Sequence, residues 1–253
     1  MKISFFEEFP NKSTLPKLDL VKFPTKLYLA EYSIEGYKQY KKELQNKYKN
    51  LKEVIWWPVL NVHEGYWMSP WSKRRALLRI FHCLLNENIS ILWDAEFPKN
   101  RKLICSQFFK HFKNKKLIKT FFQKYKGEIY TAEYFLLNKL MKKILNYSCL
   151  SFDPSKYKNV NVTKMLYSSV MHNWLTEDIM RNEIKLYKKI YKHKFAIGLG
   201  VLDKGINGNE KQISVERLER DLKICKELGV KEVIIYRLGG LNKEYLNVIN
   251  KFI

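Results

Sequence analysis

Eight short runs rich in β-branched and aromatic residues recur along this 253-residue chain, and amphipathic, lysine-decorated stretches separate them. The runs are Lys2–Phe6, Lys26–Ala30, Glu53–Leu60, Ile89–Trp93, Glu128–Ala132, Val162–Tyr167, Phe195–Leu202 and Glu232–Leu238. Strands that alternate with helices pair in parallel, because each helix carries the chain back to the edge where the next strand starts. Eight such units in about 250 residues, with no linker and no break in composition, favour closure over an open doubly wound sheet. The expectation is an α/β fold: a single (β/α)8 TIM barrel domain over 1–253.

Local signals support the helices. Ser33 precedes a stretch with Glu35 early and lysines late, which suits a capped start and the helix dipole. Ser72 precedes a stretch in which Ala76, Leu77, Ile80, Phe81 and Leu84 share one face. Ser214 stands before a third such stretch, and Gly229 supplies its stop. The first connection, with two prolines between Asn11 and Pro24, has room only for a short helix, and Leu150–Tyr157 reads as an irregular insertion before the sixth strand.

Composition narrows the class. No apolar run approaches the ~20 residues that span a bilayer, and the first ten residues reach two acids before any signal-like apolar core forms. The expected setting is soluble and cytoplasmic, with no membrane partner. Cys83, Cys105, Cys149 and Cys225 are scattered without CxxC spacing, so reduced and mostly buried thiols are expected, with neither zinc nor disulfides. The net charge of +22 invites an anionic partner, nucleic acid included. Only eight of the 47 basic residues are Arg, however, and Arg is the residue of bidentate phosphate recognition. Abundant Lys, Asn, Ile, Tyr and Phe also fit a bias toward AT-rich codons, so nucleic acid ranks below a sugar as the expected partner.

In a barrel of this kind the reactive groups stand at the C-terminal ends of the strands. Those ends carry Glu7 and Glu8, Glu31, His63 and Glu64, Asp94 and Glu96, Glu133, Tyr167 with Ser168, Asp203, and Arg237. Seven of the chain's 25 acids thus sit at the ends of the first five strands of a basic protein. Taken singly, Glu7, Glu8 and Glu31 suit helix starts or solvated loops. Asp94 and Glu96 differ, because residues i and i+2 of a strand point to one face. With Leu92 facing inward, both would project into the mouth together, unless they serve only to pair a structural arginine such as Arg237. Trp57, Trp67 and the rest of His63–Trp71 add aromatic faces suited to the apolar faces of sugar rings.

A strand-four end carrying Asp94-Ala95-Glu96 resembles the barrels of the chitinase-like (family 18) and lysozyme-like (family 25) glycoside hydrolases. The first of these also carries Met-x-Tyr-Asp on strand six, and Met165-Leu166-Tyr167-Ser168 matches it at all but the aspartate. The resemblance implies Glu96 as general acid/base, Asp94 as the carboxylate that orients or charges the substrate's acetamido group, and Tyr167 as a hydrogen-bond donor to it. The fuller strand-four pattern, Asp-Gly-x-Asp-x-Asp-x-Glu, is absent, and Tyr236-Arg237-Leu238 stands where the family has a tryptophan on strand eight.

Glycosidic cleavage needs one protonated carboxyl and one ionised carboxylate. No glutamate ends the seventh strand, which leaves substrate assistance, or a second carboxylate from Glu7, Glu8, Glu31 or Glu133. The candidate set is therefore Glu96, Asp94, Tyr167 and Glu133 for catalysis, with Glu7, Glu8, Glu31, His63, Glu64, Trp67, Trp57 and Arg237 binding substrate. No cofactor or metal is expected. Two other readings stand beside this one. His63, Glu64, Glu96, Glu133 and His172 would be the ligands of a metal-dependent isomerase or phosphodiesterase, and a catalytically degraded barrel would bind a glycan without cutting it.

Overall fold

A computed structural model describes residues 1–135, 139–171 and 175–253. The strands are β1 Lys2–Glu7, β2 Thr25–Glu31, β3 Leu51–Pro58, β4 Ile91–Ala95, β5 Ile129–Tyr134, β6 Val160–Met165, β7 Phe195–Gly200 and β8 Glu232–Tyr236. They join in sequence order as one closed barrel, with parallel pairing at β1–β2, β1–β8, β3–β4, β4–β5 and β7–β8. The α-helices are α1 Ile34–Lys47, α2 Arg74–Leu85, α3 Lys102–Ser106, α4 Phe108–Lys124, α5 Lys139–Tyr147, α6 Glu177–Tyr191, α7 Val215–Glu227 and α8 Lys243–Asn250. The expected strands all form, each shifted by no more than three residues at either end.

The caps explain where helices begin. Ser33 Oγ accepts from the Gly36 amide and Ser214 Oγ from the Arg217 amide, so both serines act as expected. Past α7, Gly229 takes a left-handed φ of 64°, which glycine adopts without a Cβ penalty. Ser72 does not cap α2. Its hydroxyl accepts from the Ser69 amide and donates to the Trp67 carbonyl, and Lys73 occupies the cap position. The proline-rich first connection holds only the short 3₁₀ turn Leu15–Leu20.

One compact part of the chain comprises 1–30, 38–55 and 164–253. On its barrel side Tyr28, Phe6, Tyr236 and Tyr167 form a run of tilted rings with centroids 5.2, 6.3 and 5.7 Å apart. Lys164 lies over the rings of Tyr187 and Tyr191 on α6, so it faces the helices. Alternation then turns Met165 the other way. At the N-terminal end Lys26 lies 3.6 Å from Glu53 and 3.7 Å from Glu232, and Ser4 Oγ donates to Glu232.

The other part comprises 31–37 and 56–163. Trp93 packs on Phe81 of α2 and Phe122 of α4, which fixes it on the helix-facing side of β4. Leu92 and Asp94 consequently take the barrel side, as expected. Of the four cysteines, Cys149 and Cys225 are buried, Cys83 is half-buried and Cys105 is exposed, so the thiols are less uniformly interior than their apolar neighbours imply.

Candidate active site

The end of β4 brings together the pair singled out from the sequence, though not by simple alternation. The strand stops at Ala95, and the Glu96 amide donates to the Asp94 carbonyl at 3.1 Å, so the chain is already turning when it reaches Glu96. Asp94 is buried and Glu96 is half-buried. The partner of Glu96 is Tyr134 at the end of β5. Its hydroxyl donates to Glu96 Oε2 at 2.9 Å and accepts from the Phe97 amide at 3.3 Å. Burial first, and then the negative charge of Glu96 and of Asp94, push this phenol well above its usual range.

Tyr134 was legible only as a nearby aromatic. Its position follows from register, since Asp94 pairs with Ala132 and Tyr134 lies two residues further along the same side of β5. Register also corrects the role expected of Glu133. Ala95 pairs with Glu133 and Trp93 with Thr131, which puts Glu133 on the side of Trp93, facing the helices. There it is fully buried and accepts from Thr131 Oγ1, Ser151 Oγ and the Phe152 amide at 2.7–2.8 Å. Glu133 clamps the irregular 151–159 segment to the sheet, away from the Asp94–Glu96 pair.

The loop from His63 to Trp71 also departs from expectation. Tyr66, Trp67, Met68 and Trp71 are buried. The cause is a polar pin: Asn114 of α4, itself fully buried, donates through Nδ2 to the carbonyls of Pro70 and Ser72. Trp71 then packs 5.1 Å from Phe97 and 4.6 Å from His111, whose imidazole is held low by burial and by Lys115. Trp67, like Trp57, is interior and presents no open stacking face. Glu64 is buried and forked by Arg79, which lowers its carboxyl below the usual range, while His63 beside it is exposed. Glu31 Oε1 accepts from the amides of Tyr32 and Ser33 at the start of α1.

In the first part of the chain the remaining candidates form two knots. Glu7 is fully buried and accepts from Arg237 Nη1 at 2.9 Å and from the amides of Phe9 and Gly239. Desolvation pushes this carboxyl upward against the pull of Arg237. Arg237 is held further by Asp203 and by the Lys204 carbonyl, and it lies over the Phe9 ring. Its carboxylate partners are Glu7 and Asp203. Glu8 accepts from the Tyr236 hydroxyl and the Ile206 amide, while Glu210, which sequence reasoning missed, accepts from the Gly205 amide. Gly205 allows this close approach, since a Cβ there would meet Tyr236 Oη, Glu8 and Glu210.

Tyr167 is half-buried beside Tyr236, just beyond β6. The next residue, where the family pattern has its aspartate, is Ser168, and its hydroxyl donates to buried Asp221 of α7. That departure ties the end of β6 to a helix. The proposed metal set does not assemble: among the described residues no three His, Cys, Asp or Glu side chains group closely enough to hold an ion. His172 lies outside the described residues.

No protein-family model and no curated protein matches the chain. Solved structures do. The chitinase of Chromobacterium violaceum ATCC 12472 aligns with a TM-score of 0.58 at 8% identity, over 99% of this chain and 98% of that one. The PgaB glycoside hydrolase domain of Bordetella bronchiseptica aligns with a TM-score of 0.55 at 10% identity, over 97% and 95%. The 3-keto-D-glucoside 4-epimerase of E. coli aligns with a TM-score of 0.54 at 10% identity, over 100% and 98%. The likeness is one of fold. The resemblance first seen in the strand-four acids thus holds at the level of architecture, among glycoside hydrolase barrels and other barrels that act on sugars.

Proposed function

We propose that residues 1–253 form one catalytic barrel that cleaves a glycan, with Glu96 as general acid/base and Asp94 as its supporting carboxylate. The observation that carries the reading is the cluster at the ends of β4 and β5: a half-buried glutamate held by the Tyr134 hydroxyl, with a buried aspartate two residues before it on the barrel side of β4. A proton donor must reach the leaving oxygen, so Glu96 suits that role by its exposure and Asp94, sealed beneath it, suits charge stabilisation. The other acids at strand ends within the same part of the chain, Glu31, Glu64 and Glu133, are engaged by backbone amides, by Arg79 or by hydroxyls. This favours a mechanism in which the substrate's own acetamido group attacks while Asp94 steadies it, as the chitinase-like resemblance implies. Similarity in fold to chitinases supports the same substrate class. Chito-oligosaccharides and a panel of aryl glycosides form the test. Glu96→Gln should keep the fold and glycan binding while lowering turnover by ~10²–10⁴. Wild-type activity in that variant would remove the assignment.

A second reading rests on Ser168. With its hydroxyl given to Asp221, the position is not available as the family's acid, and a barrel that binds chito-oligosaccharides without releasing product would be the outcome that favours it.

A further inference from the structure

We propose that the exposed face built from α4 and α5 docks on an anionic lipid bilayer. Residues 97–127 contain no Asp or Glu, nor do residues 134–152, and α4 alone carries six lysines. Among these lysines Phe108, Phe109 and Phe112 are exposed, Phe109 by 87%. The helix α5 also turns apolar side chains outward: Leu140, Ile144 and Tyr147 fall at helical spacing and are all exposed, while Leu145 packs inward. The two helices share this face, because Lys115 Nζ of α4 lies 3.3 Å from the centroid of the Tyr147 ring and 5.6 Å from that of Phe112.

A protein surface seldom gathers large apolar side chains this way unless something covers them. The combination of bulky apolar groups with a surround of lysine is that of an interfacial element, which sinks its apolar side chains to the headgroup boundary while cations hold anionic headgroups. Charge decides among occupants. A second copy would press two acid-free lysine faces together and be repelled. A single-stranded nucleic acid would find rings in Phe109 and Tyr147 but no forked Arg for its phosphates, since the helices' cations are Lys, and Leu140, Met141 and Ile144 suit acyl chains better than bases. The face lies at the catalytic end of its part of the chain, since Trp71 touches both His111 of α4 and Phe97 beside Glu96. Docking does not depend on the chemistry at Glu96.

The test is co-sedimentation of the full chain with vesicles of phosphatidylcholine alone or with about one-third phosphatidylserine. Binding should be at least about tenfold tighter to the anionic vesicles and should weaken as salt rises. Phe109→Ser with Leu140→Ser should lower it by about tenfold, and so should Lys113→Glu with Lys116→Glu, both with an unchanged circular dichroism spectrum. All four side chains are exposed, and the charge pair leaves the apolar face intact, so each variant checks the other. Failure of anionic vesicles to retain the wild type would overturn the proposal, as would retention of both double variants at the wild-type level. It would also fall if the substitutions abolished binding of single-stranded RNA, or a dimer seen by sedimentation equilibrium, and left vesicle binding unchanged.

Discussion

Tyr134 Oη donates a 2.9 Å hydrogen bond to Glu96 Oε2 across the β4–β5 ladder, and its own phenol is pushed up by burial and then by that carboxylate. In the proposed reaction this makes Tyr134 a positioning residue for Glu96. A hydrogen bond to a charged group contributes roughly 1.5–3 kcal/mol. Tyr134→Phe should therefore cut kcat by about tenfold or more while leaving KM within about twofold, because the glutamate loses its orientation and the ring still packs on Phe97. Steady-state kinetics on whichever chito-oligosaccharide the wild type cleaves would show it. A loss carried wholly by KM would mean that Tyr134 meets substrate instead.

Arg237 stands in a different relation to its acids. Its partner Glu7 is fully buried, so removing the cation leaves a desolvated carboxylate. Arg237→Met should destabilise the fold by about 3–5 kcal/mol in urea denaturation. Adding Glu7→Gln should restore much of that loss. Additive losses in the double variant would show that the two side chains act independently.

Asn114→Ala should leave the carbonyls of Pro70 and Ser72 without their donor. The expected cost is about 2 kcal/mol, and amide hydrogen exchange should rise across 66–72 ahead of the rest of the fold. Uniform protection throughout that loop would show that Asn114 is not its pin.

The Glu64–Arg79 fork gives a pH signature. Arg79 lowers the Glu64 carboxyl in the folded chain relative to its ordinary value of 4.5. Its stabilising contribution is thus complete above that ordinary value and disappears as pH falls through the depressed one. The stability gap between wild type and Glu64→Gln should be present at neutral pH and close under acid. A gap that widened on acidification would contradict the ion pair.

Strand order, the inward parity of Leu92 and Asp94, and the caps at Ser33 and Ser214 were legible because each depends on residues close in sequence. What was not legible depends on partners far along the chain. Glu133 looked like a mouth residue until its pairing with Ala95 put it on the helix side. Trp67 and Trp71 looked like binding aromatics because nothing between residues 63 and 72 announces that Asn114, more than 40 positions later, holds the loop shut. Glu96 lies one residue beyond the end of β4 at Ala95, where the alternation rule has no force, so its hydrogen bond to Tyr134 was not legible from strand parity.

The adjacency of Trp93 and Asp94 also restricts how this protein can diversify. The indole is wedged into the helix layer against Phe81 and Phe122, so it locks the phase of β4 through Asp94. Inserting or deleting one residue between Leu92 and Asp94 would drive either the indole into the lumen or the carboxylate into the apolar layer. This stretch of β4 therefore tolerates substitution but not a change of length.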